Sequence, residues 1–176
     1  MSAREAQDID ELADNLTARF ASLARAHTLT MPDLAGDVVE QTETTLLALL
    51  DAILAAHQGI NEERISIEGD DLPIGPHALT TIALLLHELA TNAVKYGGLA
   101  TPEGQLRIEV GIAGERMKMT WRETGAPANV RGKSDEGFGR RLERASVATL
   151  HGKVERAWFD HGLEIGLEFP VGDLGR

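Results

Sequence analysis

The chain has 176 residues, with 17 Lys+Arg against 28 Asp+Glu, a net charge of −11 and no cysteine. That balance disfavours nucleic acid and anionic membrane surfaces as partners, and the missing cysteines exclude disulfides and thiolate metal sites. The polar start, Met1-Ser2-Ala3-Arg4-Glu5, is no signal peptide, and the longest apolar stretch, from Ile82 to Leu86, is far too short to span a bilayer. The expectation is a soluble, cytoplasmic protein that makes no membrane contact.

Residues 8–28 carry Ile9, Leu12, Leu16, Phe20, Leu23 and His27 at helical spacing. So narrow an apolar stripe calls for a partner helix. Met31-Pro32-Asp33 breaks the pattern. A second helix is expected over 36–57, where Val38, Val39, Leu46, Leu47, Leu50, Ile53 and Leu54 recur. Arg64-Ile65-Ser66-Ile67-Glu68 alternates as a strand does, and Leu72-Pro73-Ile74 suits a short extended piece. A third helix is expected over 76–96, with Pro76 in its first turn and Gly97-Gly98 at its end. Residues 105–111 and 116–123 read as one hairpin, and 154–159 and 163–169 as another. Between them lie a loop over 124–139, rich in Gly, Pro and charge, and a fourth helix over about 138–150. The order is two helices, then β, α, ββ, α, ββ. It predicts an α+β fold, a two-layer sandwich with helices on one face of a mostly antiparallel sheet and a helical N-terminal appendage.

Three constellations carry chemistry. Glu88, Asn92 and Lys95 stand at offsets of four and three, so they stack on one helix face, with Tyr96 beside them. An amide oxygen can ligate Mg²⁺, an ammonium can meet phosphate, and a carboxylate can take a proton. A solvated helix stripe has the same spacing, but the neighbouring faces here are apolar. Trp121-Arg122-Glu123-Thr124-Gly125 lies where a strand meets the long loop; Glu123 can accept an amino proton from adenine, with Gly125 leaving room for the base. An ordinary turn is the competing reading. Gly137-Phe138-Gly139-Arg140-Arg141 opens a helix, and free N–H groups there, with Arg140, can hold phosphate. A plain junction of loop and helix has the same pattern. The three together, in this order, fit three parts of one ligand.

The stretch His87-Glu88-Leu89-Ala90-Thr91-Asn92-Ala93-Val94-Lys95-Tyr96-Gly97, followed by Trp121-Arg122-Glu123 and Gly137-Phe138-Gly139, resembles the HWE subfamily of bacterial sensor histidine kinases. The resemblance runs from about Arg19 to Pro170 and includes Leu23-Ala24-Arg25-Ala26-His27. It implies an N-terminal piece over residues 1–33, left from a dimerisation and phosphotransfer hairpin, and a Bergerat-type ATP-binding domain over 34–176. It further implies ATP and Mg²⁺, with Glu88 as catalytic base or polarising residue and Asn92 as metal ligand. Lys95 would lie on phosphate, Glu123 on adenine, and 124–139 would be the lid. His87 is a signature residue counted with Tyr96, Gly125, Gly137, Phe138, Gly139 and Arg140 among the ATP-binding positions. Gly125-Ala126-Pro127 departs from the family's Gly-Gly-Pro. No phosphoacceptor histidine is identified, so the acceptor is expected outside this chain. The implied partners are a response regulator and a second copy, the homodimer forming through the N-terminal helix. A non-catalytic adaptor of two-component signalling, and a serine kinase of the same superfamily, are the alternatives.

Overall fold

The structure is a computed structural model that describes residues 44–57, 64–126, 138–160 and 162–175. The expected helix over 8–28 and the start of the second helix lie outside these residues. So do Gly137 and most of the long loop.

Helix α1 spans Leu46–Leu54 and runs on as a 3-10 turn, Ala55–His57. It does not form the later part of an unbroken helix reaching back to residue 36. Thr45 is extended and caps α1, its hydroxyl accepting from the Ala48 amide. Thr44 and Thr45 are stitched instead to the short piece before the next helix. The Ile74 amide donates to the Thr44 carbonyl at 2.7 Å and the Leu46 amide to the Leu72 carbonyl at 2.9 Å, with Thr45 bridging Pro73. Threonine loses side-chain freedom in a helix and gains a hydrogen bond at its start, which sets the break here.

Strand β1 is Ile65–Gly69, β2 Gln105–Ala113, β3 Arg116–Thr124, β4 Lys153–Phe159 and β5 Gly162–Pro170. They form one sheet in the order β1-β2-β3-β5-β4, parallel at β1–β2 and antiparallel elsewhere. The parallel pair needs a crossover, and helix α2, Pro76–Lys95, supplies it. Helix α3 is Phe138–Thr149, and a single turn, α4, Val171–Leu174, follows β5. His151 adopts a left-handed φ of 49° just past α3, with the Gly152 amide donating to the Val147 carbonyl, and this ends the helix.

Alternation sorts the sheet into two faces. Leu106, Ile108, Val110, Met117, Met119, Trp121, Ile165, Leu167 and Phe169 are buried on one, against Leu49, Leu50, Ile53, Leu85, Leu86 and Leu89 of the helices. The other face carries ion pairs such as Arg107–Glu109 and Arg122–Glu164. Helix α2 is buried on nearly every side, as its apolar sequence demands. This is the expected α+β two-layer sandwich.

Candidate functional site

Helix α2 brings the three constellations together. Glu88 and Asn92 occupy successive turns of it, and Lys95 stands exposed in its last turn. Glu88 is only 8% exposed. Gly139, in the first turn of α3, sits directly over this pair. A methyl group added there would lie 2.9 Å from the Glu88 Oε2 and 3.9 Å from the Asn92 Nδ2. A side chain at 139 would thus crowd the carboxylate, and glycine leaves the space open.

The same helix meets the second motif at its C-terminal end. Glu123 is 3% exposed, and both carboxyl oxygens have donors: the Trp121 indole N–H to Oε1 at 2.9 Å and the Gly98 amide to Oε2 at 2.9 Å. Trp121 and Glu123 are two apart on one strand, so they share a face. Burial pushes the Glu123 carboxyl above the usual carboxylate range; its hydrogen bonds to Trp121 and Gly98 and the nearby Arg156 guanidinium act in the opposite sense.

The paired glycines do more than end the helix. Neither has a positive φ. Gly97 is glycine because a methyl group there would lie 1.7 Å from the Glu123 Oε2 and 2.8 Å from the Ala93 Cα; at Gly98 it would meet the Gln105 and Thr124 carbonyls at 2.7 Å. The chain is pressed flat so that the Gly98 amide reaches the carboxylate. Gly125 does need its left-handed φ of 75°, and its close approach among the described residues is to the Gly104 backbone. Its carbonyl accepts from the Thr101 hydroxyl at 2.9 Å.

Tyr96 is exposed at the cap of α2. His87 is buried, about 100° round the helix from Glu88, with its Nε2 3.5 Å from the Thr91 hydroxyl, so it is not part of the Glu88–Asn92–Lys95 row. Arg140 lies 3.6 Å from Glu143. Arg64 was missed by sequence reasoning: its guanidinium donates to the carbonyls of Leu99, Thr101 and Gly104, bracing the turn under Gly97-Gly98. Its place just before an apolar strand was the available signal. Also missed was Arg156, which grips Glu143 with both arms of its fork.

Among the described residues no group of three or more His, Cys, Asp or Glu could hold a metal, so a divalent ion here needs oxygens from elsewhere. Magnesium suits that, since it is commonly held by one or two protein groups together with substrate phosphates and water. No helix among the described residues is long and apolar enough to cross a membrane.

The chain is similar to known proteins in both sequence and fold. The chain is 31% identical over 173 residues to blue-light-activated histidine kinase 1 of Erythrobacter litoralis, covering 97% of this chain and 47% of that protein. It is 32% identical over 155 residues to the blue-light-activated histidine kinase of Rhizobium johnstonii, covering 86% and 42%. The chain thus spans less than half the length of these relatives. The histidine kinase domain of the Erythrobacter litoralis EL346 protein superposes with a TM-score of 0.68 at 20% identity, over 91% of this chain and 76% of that one. The catalytic domain of histidine kinase ThkA gives 0.56 at 19% identity, over 73% and 95%. These two likenesses establish the fold. Residues 1–71 match the HWE histidine kinase family. With residues 37–155 matching as well, the chain belongs to the histidine kinase-like ATPase domain family.

Proposed function

We propose that this chain binds Mg-ATP and delivers the γ-phosphoryl group to a histidine of a protein, as the catalytic domain of an HWE-type histidine kinase. The observation that carries the reading is the meeting of three separate motifs along one helix, with Gly139 over Glu88 and Asn92 and Glu123 under Gly97-Gly98. Asn92 would hold Mg²⁺ through its amide oxygen, and Lys95 would neutralise phosphate charge at the helix end. Each Glu123 oxygen has a second lone pair, so the carboxylate can also accept the exocyclic amino proton of adenine. Mg²⁺ bound there would draw charge from the phosphate oxygens.

In the step itself an imidazole nitrogen forms the new bond to the γ-phosphorus. The bond from that phosphorus to the β–γ bridging oxygen breaks and ADP departs. Glu88 takes the proton that the phosphorylated ring releases. Most of the acceleration is positioning and charge neutralisation. Arg140 would stand by the phosphates at the start of α3, and the segment between Gly125 and Gly139 would be the lid. A response regulator as final recipient, assembly with a second copy and a cytoplasmic setting follow from the same reading.

Calorimetry tests it. The chain should take up Mg-ATP, and Asn92→Ala should abolish that uptake while leaving the fold intact by circular dichroism. Unchanged Mg-ATP affinity in the variant would refute the assignment of Asn92. Glu88→Ala should keep affinity and slow transfer to a supplied acceptor; undiminished transfer removes Glu88 from the chemistry.

A further inference from the structure

Position 156 ought to be apolar. On β4, Val154, Arg156 and Trp158 share the face turned toward the helices, and Arg156 pairs across the sheet with Ile165, which pairs in turn with Trp121. The Arg156 side chain is 14% exposed there and Glu143 4%. Two charges this deep persist only when they satisfy each other. The Arg156 fork does so, giving Glu143 two hydrogen bonds, while Arg140 approaches the same carboxylate from one turn earlier.

Glu143 is four residues beyond Gly139, hence on the same side of α3 one turn on. Whatever fixes Glu143 also fixes how closely Gly139 lies over Glu88 and Asn92. At its other side Arg156 is one strand removed from Trp121, the residue whose indole donates to Glu123.

We infer that Arg156 is a positioning residue for nucleotide binding, joining the end of the site at Glu88 and Asn92 to the end at Glu123 through its grip on Glu143. The inference rests on the ATP-binding reading above. Its charge opposes the upward push that burial gives the Glu123 carboxyl, and so favours the ionised form that accepts a base amino group. Among the described residues the groups facing Glu123 are Trp121 of β3, the Gly98 amide after α2 and Arg156 of β4 with its partner Glu143 of α3. The cross-strand neighbours, Leu106 of β2 and Leu163 of β5, are apolar, and from α2 the Glu88 carboxylate faces Gly139.

The test is Mg-ATP affinity of the 176-residue chain by calorimetry, from about pH 5 to about pH 8, for the unaltered chain and three variants. Arg156→Met should weaken binding by about tenfold or more and move the acid-side loss of affinity to higher pH. Glu143→Gln should also weaken binding, through α3, but move that loss to lower pH, because the Arg156 charge is no longer shared. Arg156→Lys should weaken binding with the pH profile nearly in place, since the charge stays and the fork goes. Opposite pH shifts from the two partners of one ion pair are not produced by a general loosening. Should Arg156→Met fail to fold, Glu143→Gln and Arg156→Lys decide. The inference is overturned if the unaltered chain binds while the folded variants bind equally well, or if Arg156→Met and Glu143→Gln keep its pH profile despite weaker binding. A chain that takes up no nucleotide at all removes the ATP reading itself.

Discussion

Two buried carboxylates of the site, Glu123 on β3 and Glu88 on α2, stand in contrasting surroundings. Glu123 is locked: an indole N–H and a backbone N–H each take one oxygen, and a glycine is flattened against it. Glu88 is buried in the middle of α2, and across from it stands Gly139 of α3, whose missing side chain is what separates the two helices there: a methyl group would come within 2.9 Å of the Glu88 Oε2. On the proposed reading, the difference separates tasks. A group that recognises a flat base gains from a fixed direction, and a group that moves a proton needs room for the reacting atoms beside it.

Alanine substitution at the two glycines breaks the comparison most sharply. Gly97→Ala forces a methyl group into the Glu123 carboxylate and the Ala93 backbone, so stability should fall by about 3 kcal/mol or more in urea unfolding. A loss under about 1 kcal/mol would mean that the contact is loose. Next comes Glu123→Ala, which leaves the Trp121 and Gly98 donors buried without an acceptor and should remove about 2 kcal/mol. The pH dependence of that loss has a definite sign. Burial raises the folded-state value of Glu123, so the folded chain binds its proton more tightly than the unfolded chain. The group's stabilisation is complete below the unfolded value and is lost as pH rises through the folded one. The penalty of Glu123→Ala should therefore shrink as pH rises across that window; a penalty that grows would reverse the assigned shift. The smallest stability effect belongs to Gly139→Ala. Its neighbour is the far end of a flexible side chain, and alanine is the better helix former, so unfolding should change by less than about 1 kcal/mol. Mg-ATP affinity should nonetheless fall several-fold, because the methyl group occupies space above Glu88.

Much of this was legible before any coordinates. The alternation in 105–111 and 116–123 and in 154–159 and 163–169 marked both hairpins, and the run from Pro76 marked α2, since these elements are decided by local pattern. The start of α1 was not. Val38, Val39 and Leu46 kept a helical rhythm across Thr44-Thr45, and only the pairing of those threonines with residues 72–74 breaks it. At the site the spacing of Glu88, Asn92 and Lys95 was readable as a helix row, but the reason for Gly97-Gly98 was not. The pair reads as a helix terminator, and the clash that excludes a side chain comes from a strand 25 residues further along. The Trp-x-Glu spacing could have yielded the Trp121–Glu123 hydrogen bond, because period two places both on one face. Arg156 was also within reach: an arginine inside an inward-facing series of Val154, Arg156 and Trp158 implies a buried acid nearby, though nothing local names Glu143.

The stitching of Thr44 and Thr45 to residues 72–74 has a mechanical consequence. Gly75, which begins α2, follows directly from that stitched piece and is itself bonded to the Leu174 carbonyl. Asp70, just ahead of that piece, is bonded to β2 through the Val110 carbonyl and the Ile112 amide. The segment entering at Thr44, the sheet edge and the root of the helix that carries Asn92 and Lys95 are therefore tied at one joint.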